Sequence, residues 1–258
     1  LSSIPLEIQP LIQELNRLLS RLKDAFDREK RFAADAAHEL RTPLAAIRAQ
    51  AQVALIVCSS PEQLTVMNNV ILGVDRANHI VHQLLSMSRL TPENEQFKEF
   101  TLCQLDVLVQ EVLSQLIDSA ESKNIKINFH PAIQSYTIAG NSAALQILMR
   151  NLIDNAIRYT PNGSEINIRL EEKNRKNIIF TVADNGPGIP KEFQERIFER
   201  FFRMLGTEVP GSGLGLSIVK QIADMHGAKI TLHETDPQTN SGLTVSVIFP
   251  MNVKKFHE

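Results

Sequence analysis

His38, Glu39 and Thr42 are the first side chains of this sequence whose types and spacing could do chemistry. His38 and Thr42 are four residues apart, so on a helix they share one face. If Leu40 and Leu44 face a core, His38 lies about 200° around from Leu40 and points to solvent. The Glu39 carboxylate can then fix the ring tautomer and accept a proton from one ring nitrogen while the other attacks. On this pair alone, an ordinary surface histidine is the simpler interpretation.

A polar stripe interrupts the apolar face of a predicted helix over residues 142–159. Asn151 and Asn155 are one turn apart and point the same way, and Arg158 continues the stripe. These groups could orient Mg²⁺ and triphosphate oxygens, because Mg²⁺ keeps waters and phosphate oxygens among its ligands. Tyr159 could cover an adenine ring. The alternative is a solvent-exposed helix face.

Two glycine-containing loops are candidates for contacts with the same ligand. Asp184 follows the strand predicted at 178–182 and precedes Gly186 and Gly188. A carboxylate held at this position can accept a hydrogen bond from the exocyclic amine of a base, and glycines let the backbone approach the base closely. An ordinary Asn-Gly turn is the alternative.

The second loop contains Gly211, Gly213, Leu214 and Gly215 and leads into an apolar helix. Glycine-rich backbone at a helix N-terminus can hold an anionic phosphate. The spacing matches neither the dinucleotide fingerprint nor a Walker A loop. By itself, this loop is a weak signal.

Three phenylalanines lie between the two loops, within residues 198–203. They predict a mobile segment that is anchored by apolar contacts, and a local core cluster is compatible with the same pattern. Arg200 or Arg203 could meet phosphate charge.

Composition argues against several other functions. The 27 basic and 29 acidic residues give a formal net charge of -2, so no global positive field attracts nucleic acid. Cys58 and Cys103 match no metal-ligand spacing and favour a reducing compartment. His79 and His82 are one turn apart but lack a third ligand. We expect structural or surface roles for the remaining histidines, which are His130, His226, His233 and His257.

The elements that must position these groups divide the chain in two. Over residues 8–25 and 40–55, apolar residues recur every three or four positions, which is typical of a coiled coil or helical bundle. A single amphipathic helix on a globular core is the alternative. Pro61 suits the start of a second helix, which repeats the pattern from Leu64 to Leu85. This predicts an antiparallel hairpin, two copies of which pair as a four-helix bundle.

Beyond about residue 91 the pattern becomes mixed α/β. Strands are predicted at 125–129, 166–170, 178–182, 229–233 and 244–249, and helices at 106–121, 142–159 and 214–225.

Five segments, in this order, resemble the sequence boxes of bacterial sensor histidine kinases. Residues 32–44 resemble the H-box, 151–159 the N-box, 184–188 the G1 box, 198–202 the F-box and 211–215 the G2 box. Residues 5–22 resemble the final helix of a HAMP linker, and the resemblance extends to a QseC-like branch of the family.

The resemblance implies roles for the candidate residues. His38 would be autophosphorylated, Glu39 would assist the transfer, and Thr42 would support dephosphorylation of the partner. Asn155 would be the Mg²⁺ ligand, Asn151 its support near the phosphates, Arg158 a phosphate contact, Tyr159 an adenine neighbour and Asp184 the adenine reader. The expected ATP site is completed by Gly186, Gly188, Arg200, Gly211, Gly213, Leu214 and Gly215. Arg158 stands where lysine is common, which leaves nucleotide binding intact.

The implied fold is multidomain, α and α+β. A helical hairpin forming a dimeric four-helix bundle would be followed by a Bergerat-type α/β sandwich that binds ATP. The expected domains are 1–28, the end of a HAMP or signalling helix; 29–92, for dimerisation and histidine phosphotransfer; and 93–258, the catalytic domain.

The same resemblance predicts the cofactors, the partners and the cell compartment. The cofactors would be ATP and Mg²⁺, and the partners a second copy of the chain and the receiver domain of a response regulator. Because the chain begins with Leu1, we expect a cytoplasmic fragment of a protein held in the bacterial inner membrane by an upstream segment.

Two other functions account for parts of the sequence. A Bergerat-fold ATPase without histidine transfer would hydrolyse ATP independently of His38, but it has no use for the string at 32–44. A non-enzymatic dimeric adaptor would have a degenerate nucleotide site, whereas Asn155, Asp184 and the 211–215 loop are intact. Measured ATP affinity distinguishes the adaptor from the kinase.

Overall fold

A computed structural model of the chain describes residues 9–58, 60–89, 100–131, 136–174, 176–204, 211–236 and 241–251. The chain divides into two compact units, Leu1–Ser88 and Arg89–Glu258. None of the described helices combines the length and the apolar character needed to cross a bilayer.

The first unit contains two long helices. Helix α1 spans Gln9–Val57 and continues through Pro43, and helix α2 spans Pro61–Arg89. The Nε atom of Arg48 lies 2.8 Å from Oδ1 of Asp75, so an ion pair joins the two helices. The predicted helical hairpin and its restart at Pro61 are confirmed.

The predicted apolar pattern is only partly covered within one chain. Ala51 on α1 and Val74 and Val81 on α2 are buried. Leu40 and Ile47, at other positions of the α1 pattern, remain 49% and 44% exposed. Part of the apolar surface of α1 is therefore unpaired in the single chain.

The second unit alternates strands and helices. In chain order they are β1 (Thr101–Gln104), α3 (Leu105–Ser122), β2 (Lys126–His130), β3 (Thr137–Gly140), α4 (Ser142–Tyr159), β4 (Glu165–Lys173), β5 (Asn177–Ala183), α5 (Gly215–Met225), β6 (Lys229–Asp236) and β7 (Ser241–Pro250). Two short 3-10 turns, Lys191–Phe193 and Arg196–Phe198, lie between β5 and α5. The strands β1 and β3 were not predicted from the sequence.

In the described part of this unit, five strands form one sheet in the order β2-β4-β5-β7-β6. The β2–β4 pair is parallel and the other pairs are antiparallel, while β1 and β3 form a separate antiparallel pair. Alternate residues of the central strands are fully buried, among them Ile168, Phe180 and Val247, as a sheet with one covered face requires. Helix α4 packs against α3 and α5, and contacts β5. The predicted α/β sandwich is confirmed.

Candidate functional site

Helix α4 carries the polar stripe and is capped at both ends. At its start, the Asn141 side chain accepts a hydrogen bond from the backbone N–H of Ala144 at 2.9 Å. At its end, the Lys123 ammonium donates to the carbonyl oxygens of Ile157 and Arg158, at 2.9 and 2.8 Å. A cation at a helix C-terminus is also favoured by the helix dipole. No pattern in the sequence indicates that Lys123 holds this end of the helix.

The asparagines of α4 meet the glycine loop at the start of α5. Asn151 donates from Nδ2 to the carbonyl oxygen of Ile147 at 2.8 Å, which fixes the orientation of its amide. A Cβ on Gly215 would lie 3.2 Å from Oδ1 of Asn151 and 3.4 Å from the amide atoms of Asn155. The structure therefore brings together two predicted pieces of the site that are far apart in sequence.

Asp184 is held rigidly at the end of β5. It is 5% exposed, and its Oδ1 accepts backbone N–H bonds from Gly186 at 2.8 Å and Leu243 at 3.1 Å. Burial raises the pKa of Asp184, and the two backbone hydrogen bonds oppose this rise. The carboxylate is thus an oriented acceptor in a place with little water.

Tyr159 connects the first glycine loop to the second. A Cβ on Gly186 would lie 3.0 Å from the carbonyl oxygen of Tyr159, and one on Gly211 would lie 3.5 Å from its hydroxyl oxygen. The helix α4, the loop after Asp184 and the loop before α5 therefore converge on one region of the second unit.

The phenylalanine segment is joined to the second glycine loop. The N–H of Phe201 donates to the carbonyl oxygen of Gly213 at 3.0 Å. A Cβ on Gly213, whose φ is +73°, would lie 2.7 Å from the carbonyl oxygen of Phe202. The Phe202 ring packs at 6.0 Å from that of Phe193, and the Arg196 guanidinium lies 4.5 Å from its centre. The apolar contact of Phe202 is therefore with Phe193, outside the predicted cluster, and Phe201 is 64% exposed.

The remaining predicted site residues have different surroundings in the structure, and their predicted roles stay predictions. Leu214 is fully buried, and its N–H bonds to the Ser212 hydroxyl at 3.1 Å, so it anchors the start of α5. The Nε atom of Arg158 lies 2.8 Å from Oδ2 of Asp154. Arg200 is exposed, and Gly188 is buried in the loop after Asp184.

The segment at 32–44, which contains His38, lies on α1. Glu39 and Thr42 are exposed on this helix. The side chains of His38, His79 and His82 lie outside the described residues, as does His257, so the predictions for them stay predictions.

Sequence reasoning missed the contribution of β7 to the site. Leu243 bonds Asp184, and Gly242 donates from its N–H to the carbonyl oxygen of Gly186 at 2.7 Å. Gly242 lies two residues before the strand predicted at 244–249, and a glycine beside a strand can mark a close approach of backbones, so this signal could have singled out Gly242 without showing its partner.

Comparison with known proteins gives the family. The model of the "His Kinase A (phospho-acceptor) domain" matches residues 28–93, and that of the "Histidine kinase-, DNA gyrase B-, and HSP90-like ATPase" matches residues 140–253. Sensor protein QseC of Salmonella typhi is 40% identical over 229 residues, which are 88% of this chain and 50% of that protein. A solved catalytic domain of histidine kinase ThkA is 30% identical, with a TM-score of 0.53, covering 59% of this chain and 96% of that chain. The chain belongs to the sensor histidine kinase family.

The two family models match in the order predicted for the two domains, phosphoacceptor first and ATPase second. The first family model includes His38, and the second includes every predicted nucleotide-site residue from Asn151 to Gly215. The full-length structure of ShkA in complex with AMPPNP shares the fold, with a TM-score of 0.64 at 22% identity over 86% of this chain and 46% of that chain. The predicted similarity to QseC is confirmed, and the chain spans about half the length of that relative, at 50%.

Proposed function

We propose that the second unit of this histidine kinase binds Mg·ATP and that His38 takes the γ-phosphoryl group. The observation that carries this proposal is the convergence of three separated motifs. A Cβ on Gly215 would lie within 3.4 Å of the amides of Asn151 and Asn155, and one on Gly186 would lie 3.0 Å from the carbonyl oxygen of Tyr159. Such a convergence is expected of a ligand site and is not required by a surface loop.

Adenine and phosphates would be bound by different parts of this region. Asp184 accepts the exocyclic amine of adenine, because its carboxylate is buried and oriented by two backbone N–H groups. Tyr159 lies beside the base, and the backbone of residues 211–215 faces the phosphates. Arg158 and Arg200 add positive charge near the triphosphate.

The residues of α4 fit a magnesium ion that is shared with phosphate. Among the described residues, no group of three His, Cys, Asp or Glu side chains could hold a metal. A hard cation here would take its ligands from the Asn155 amide oxygen, phosphate oxygens and water, with Asn151 supporting Asn155. When bound, Mg²⁺ neutralises charge on the triphosphate.

Phosphoryl transfer to His38 depends mainly on how the protein positions the imidazole and the γ-phosphate and neutralises charge. One imidazole nitrogen attacks the γ-phosphorus, the bond to the β–γ bridging oxygen breaks, and ADP leaves. Glu39 accepts the proton that the other ring nitrogen loses. The exposure of Glu39 on α1 supports this role, since the nucleotide must reach the helix from outside.

The phosphohistidine then passes its phosphoryl group to an aspartate of a response-regulator receiver domain. We place the docking surface around His38 and Thr42. Thr42 supports a second activity, in which water attacks the phosphoaspartate of the regulator, the bond from phosphorus to the aspartate oxygen breaks, and inorganic phosphate leaves. The exposure of Thr42 makes it accessible to a partner.

Two copies of the chain form the functional unit, through a four-helix bundle built by residues 29–92. The exposed apolar positions of α1 support this assembly. Residues 1–28, of which residues 1–8 lie outside the described part of the chain, deliver the signal as the end of a HAMP segment, and residues 93–258 form the catalytic domain. We further propose that the whole protein continues into an upstream membrane anchor, with the chain on the cytoplasmic side of the bacterial inner membrane.

Incubation with Mg·ATP labelled at the γ-phosphate tests the proposal. The wild-type chain should acquire an acid-labile label, mapped to His38 by mass spectrometry at neutral to alkaline pH. His38→Ala should bind ATP normally and acquire no label. Asn155→Ala should lose both binding and label, because it lacks the proposed magnesium ligand.

Other outcomes would identify the alternative functions. ATP hydrolysis that is unchanged in His38→Ala, without any labelled histidine in the wild type, would indicate an ATPase. Failure of the wild type to bind ATP would indicate an adaptor.

A further inference from the structure

Gly242, at the start of β7, lies against the proposed adenine site but belongs to none of the five motifs. It is buried and has a φ of +73°, in the left-handed region that glycine adopts most readily. A Cβ at this position would collide with the carbonyl oxygen of Asp184 and would lie 2.6 Å from Cβ of Thr235. No larger residue fits without displacing one of these neighbours.

The segment that begins at Gly242 holds the loop after β5 at three points. Gly242 donates from its N–H to the carbonyl oxygen of Gly186 at 2.7 Å. Leu243 donates from its N–H to Oδ1 of Asp184 at 3.1 Å, and its carbonyl oxygen accepts the N–H of Asp184 at 2.9 Å. Residues 184–186 are therefore held on β7 by three hydrogen bonds, to which β7 contributes only backbone groups.

Gly242 packs closely against the main chain of Asp184, so a change at position 242 also affects the position of the Asp184 carboxylate. A side chain at position 242 must push Asp184 away or move β7, and either movement lengthens the bond from Leu243 to Oδ1. Recognition by a hydrogen bond tolerates displacements of only about 0.5 Å. The orientation of the Asp184 carboxylate thus depends on having a residue without a side chain at position 242.

We propose that Gly242 is a positioning residue for adenine recognition, because only a glycine lets β7 hold the Asp184 carboxylate in the direction of the exocyclic amine. This inference rests on the proposed role of Asp184. It adds to the nucleotide site a residue that touches no nucleotide itself.

Binding of ATP and inosine triphosphate to the whole chain tests the inference. Inosine triphosphate has an oxygen in place of the 6-amino group, so the ratio of the two dissociation constants measures recognition by Asp184. The wild type should prefer ATP by about tenfold or more, as expected for a hydrogen bond to a charged group. Gly242→Ala should lose most of this preference, and its affinity for inosine triphosphate should change about twofold at most. A folded Gly242→Ala chain that keeps the wild-type preference would overturn the inference.

Gly227→Ala is the matched control for backbone strain. Gly227 also has a positive φ, of +62°, but an added Cβ would meet nothing within 4 Å. This variant should therefore keep the preference for ATP. A loss equal to that of Gly242→Ala would show that strain alone explains the result, and would contradict the inference.

The double variant Thr235→Gly/Gly242→Ala distinguishes the collision with Thr235 from the collision with the Asp184 carbonyl oxygen. It also replaces the single variant in the test if Gly242→Ala folds poorly. It relieves the contact with Thr235 and keeps the contact with the Asp184 carbonyl oxygen. We expect the preference for ATP to remain lost. Its full recovery would assign the defect to packing against Thr235, against the inference.

Asp184→Asn distinguishes failure of this inference from failure of the proposed function. This variant should lose or reverse the preference for ATP, since an amide can donate to the oxygen of inosine. If it keeps the preference, the role of Asp184 is wrong and the inference about Gly242 fails with it. If it loses the preference while Gly242→Ala keeps it, only the inference fails.

Discussion

His226 joins the two helices that carry the nucleotide motifs. Its Nδ1 lies 2.8 Å from the carbonyl oxygen of Ile222 on α5, and its Nε2 lies 3.1 Å from the backbone N–H of Asn141, the N-cap of α4. A neutral ring with its proton on Nδ1 donates to the first and accepts from the second. The ring also packs against Phe100 and Phe249. Burial lowers the pKa of His226, and the bond to Ile222 opposes this effect.

We expect acid to destabilise the second unit through His226. Its pKa in the folded state lies below the value of about 6.5 in an unfolded chain. The unfolded state therefore binds the proton first, and the free energy of unfolding falls as the pH drops below about 6.5. The contribution of one proton is at most about 1.4 kcal/mol per pH unit.

Urea unfolding at a series of pH values measures this effect. His226→Gln should be less stable near neutral pH and should show a flatter dependence below about pH 6.5. His233→Gln, which changes an exposed imidazole on β6, should keep the wild-type dependence. Parallel curves for the wild type and His226→Gln would contradict the assignment.

At the scale of elements, the segment at 198–203 and the loop before α5 are coupled through their backbones. Gly213 accepts the N–H of Phe201, and Phe201 has a φ of +63°, which is unusual for a residue with a side chain. Strain of this kind costs about 1–3 kcal/mol and persists only where neighbours enforce it. The contact with Gly213 is such a neighbour.

Gly213→Ala should separate these two elements and weaken ATP binding by about tenfold. A Cβ there would lie 2.7 Å from the carbonyl carbon of Phe201, so one of the two loops must move. Gly163→Ala is the control, because Gly163 has a φ of +77° and open space around an added Cβ. Titration calorimetry with ATP measures both variants, and equal affinities would argue against the coupling.

Lys123 shows how a distant residue completes an element. Its ammonium caps the last carbonyl groups of α4 from the end of α3. Burial lowers the pKa of Lys123, the charge of Arg158 lowers it further, and that of Asp154 raises it. The position of the nucleotide-site helix thus depends on α3, which contains no motif.

At the scale of the whole molecule, the apolar surface of α1 predicts assembly. Leu40 and Ile47 are 49% and 44% exposed in the single chain, and such large side chains are normally covered when they form a regular stripe. Leu40→Glu/Ile47→Glu should raise the dissociation constant of the dimer by about two orders of magnitude or more, because burying unpaired carboxylates is costly.

Sedimentation velocity across a range of concentrations measures this change. Val53→Glu is the matched control, since Val53 is 62% exposed but lies about 200° around the helix from Ala51. It should leave the dimer intact. Dissociation by Val53→Glu, or a persistent dimer in the double variant, would contradict the predicted interface.

The sequence by itself determined the two-part organisation, the helices and the five strands of the main sheet. Hydrophobic periodicity is a local property of the sequence. The apolar residues around Ile168 and Phe180, which are buried in the structure, therefore predict strands before the partner strands are known. The five boxes and their order could also be identified in the sequence, and they predicted the family that the comparisons confirmed.

Only the tertiary structure decided how the pieces of the site meet. The strands β1 and β3 are four residues each, too short for a periodic signal, and exist because they pair with one another. The hydrogen bond from Leu243 to Asp184 joins residues that are 59 positions apart in the sequence. The need for a glycine at 242 arises from the carbonyl group of Asp184 on a neighbouring strand. A glycine beside a strand can indicate a close approach of backbones, but neither segment alone shows which residue it approaches, so the chain must fold before the partner can be identified.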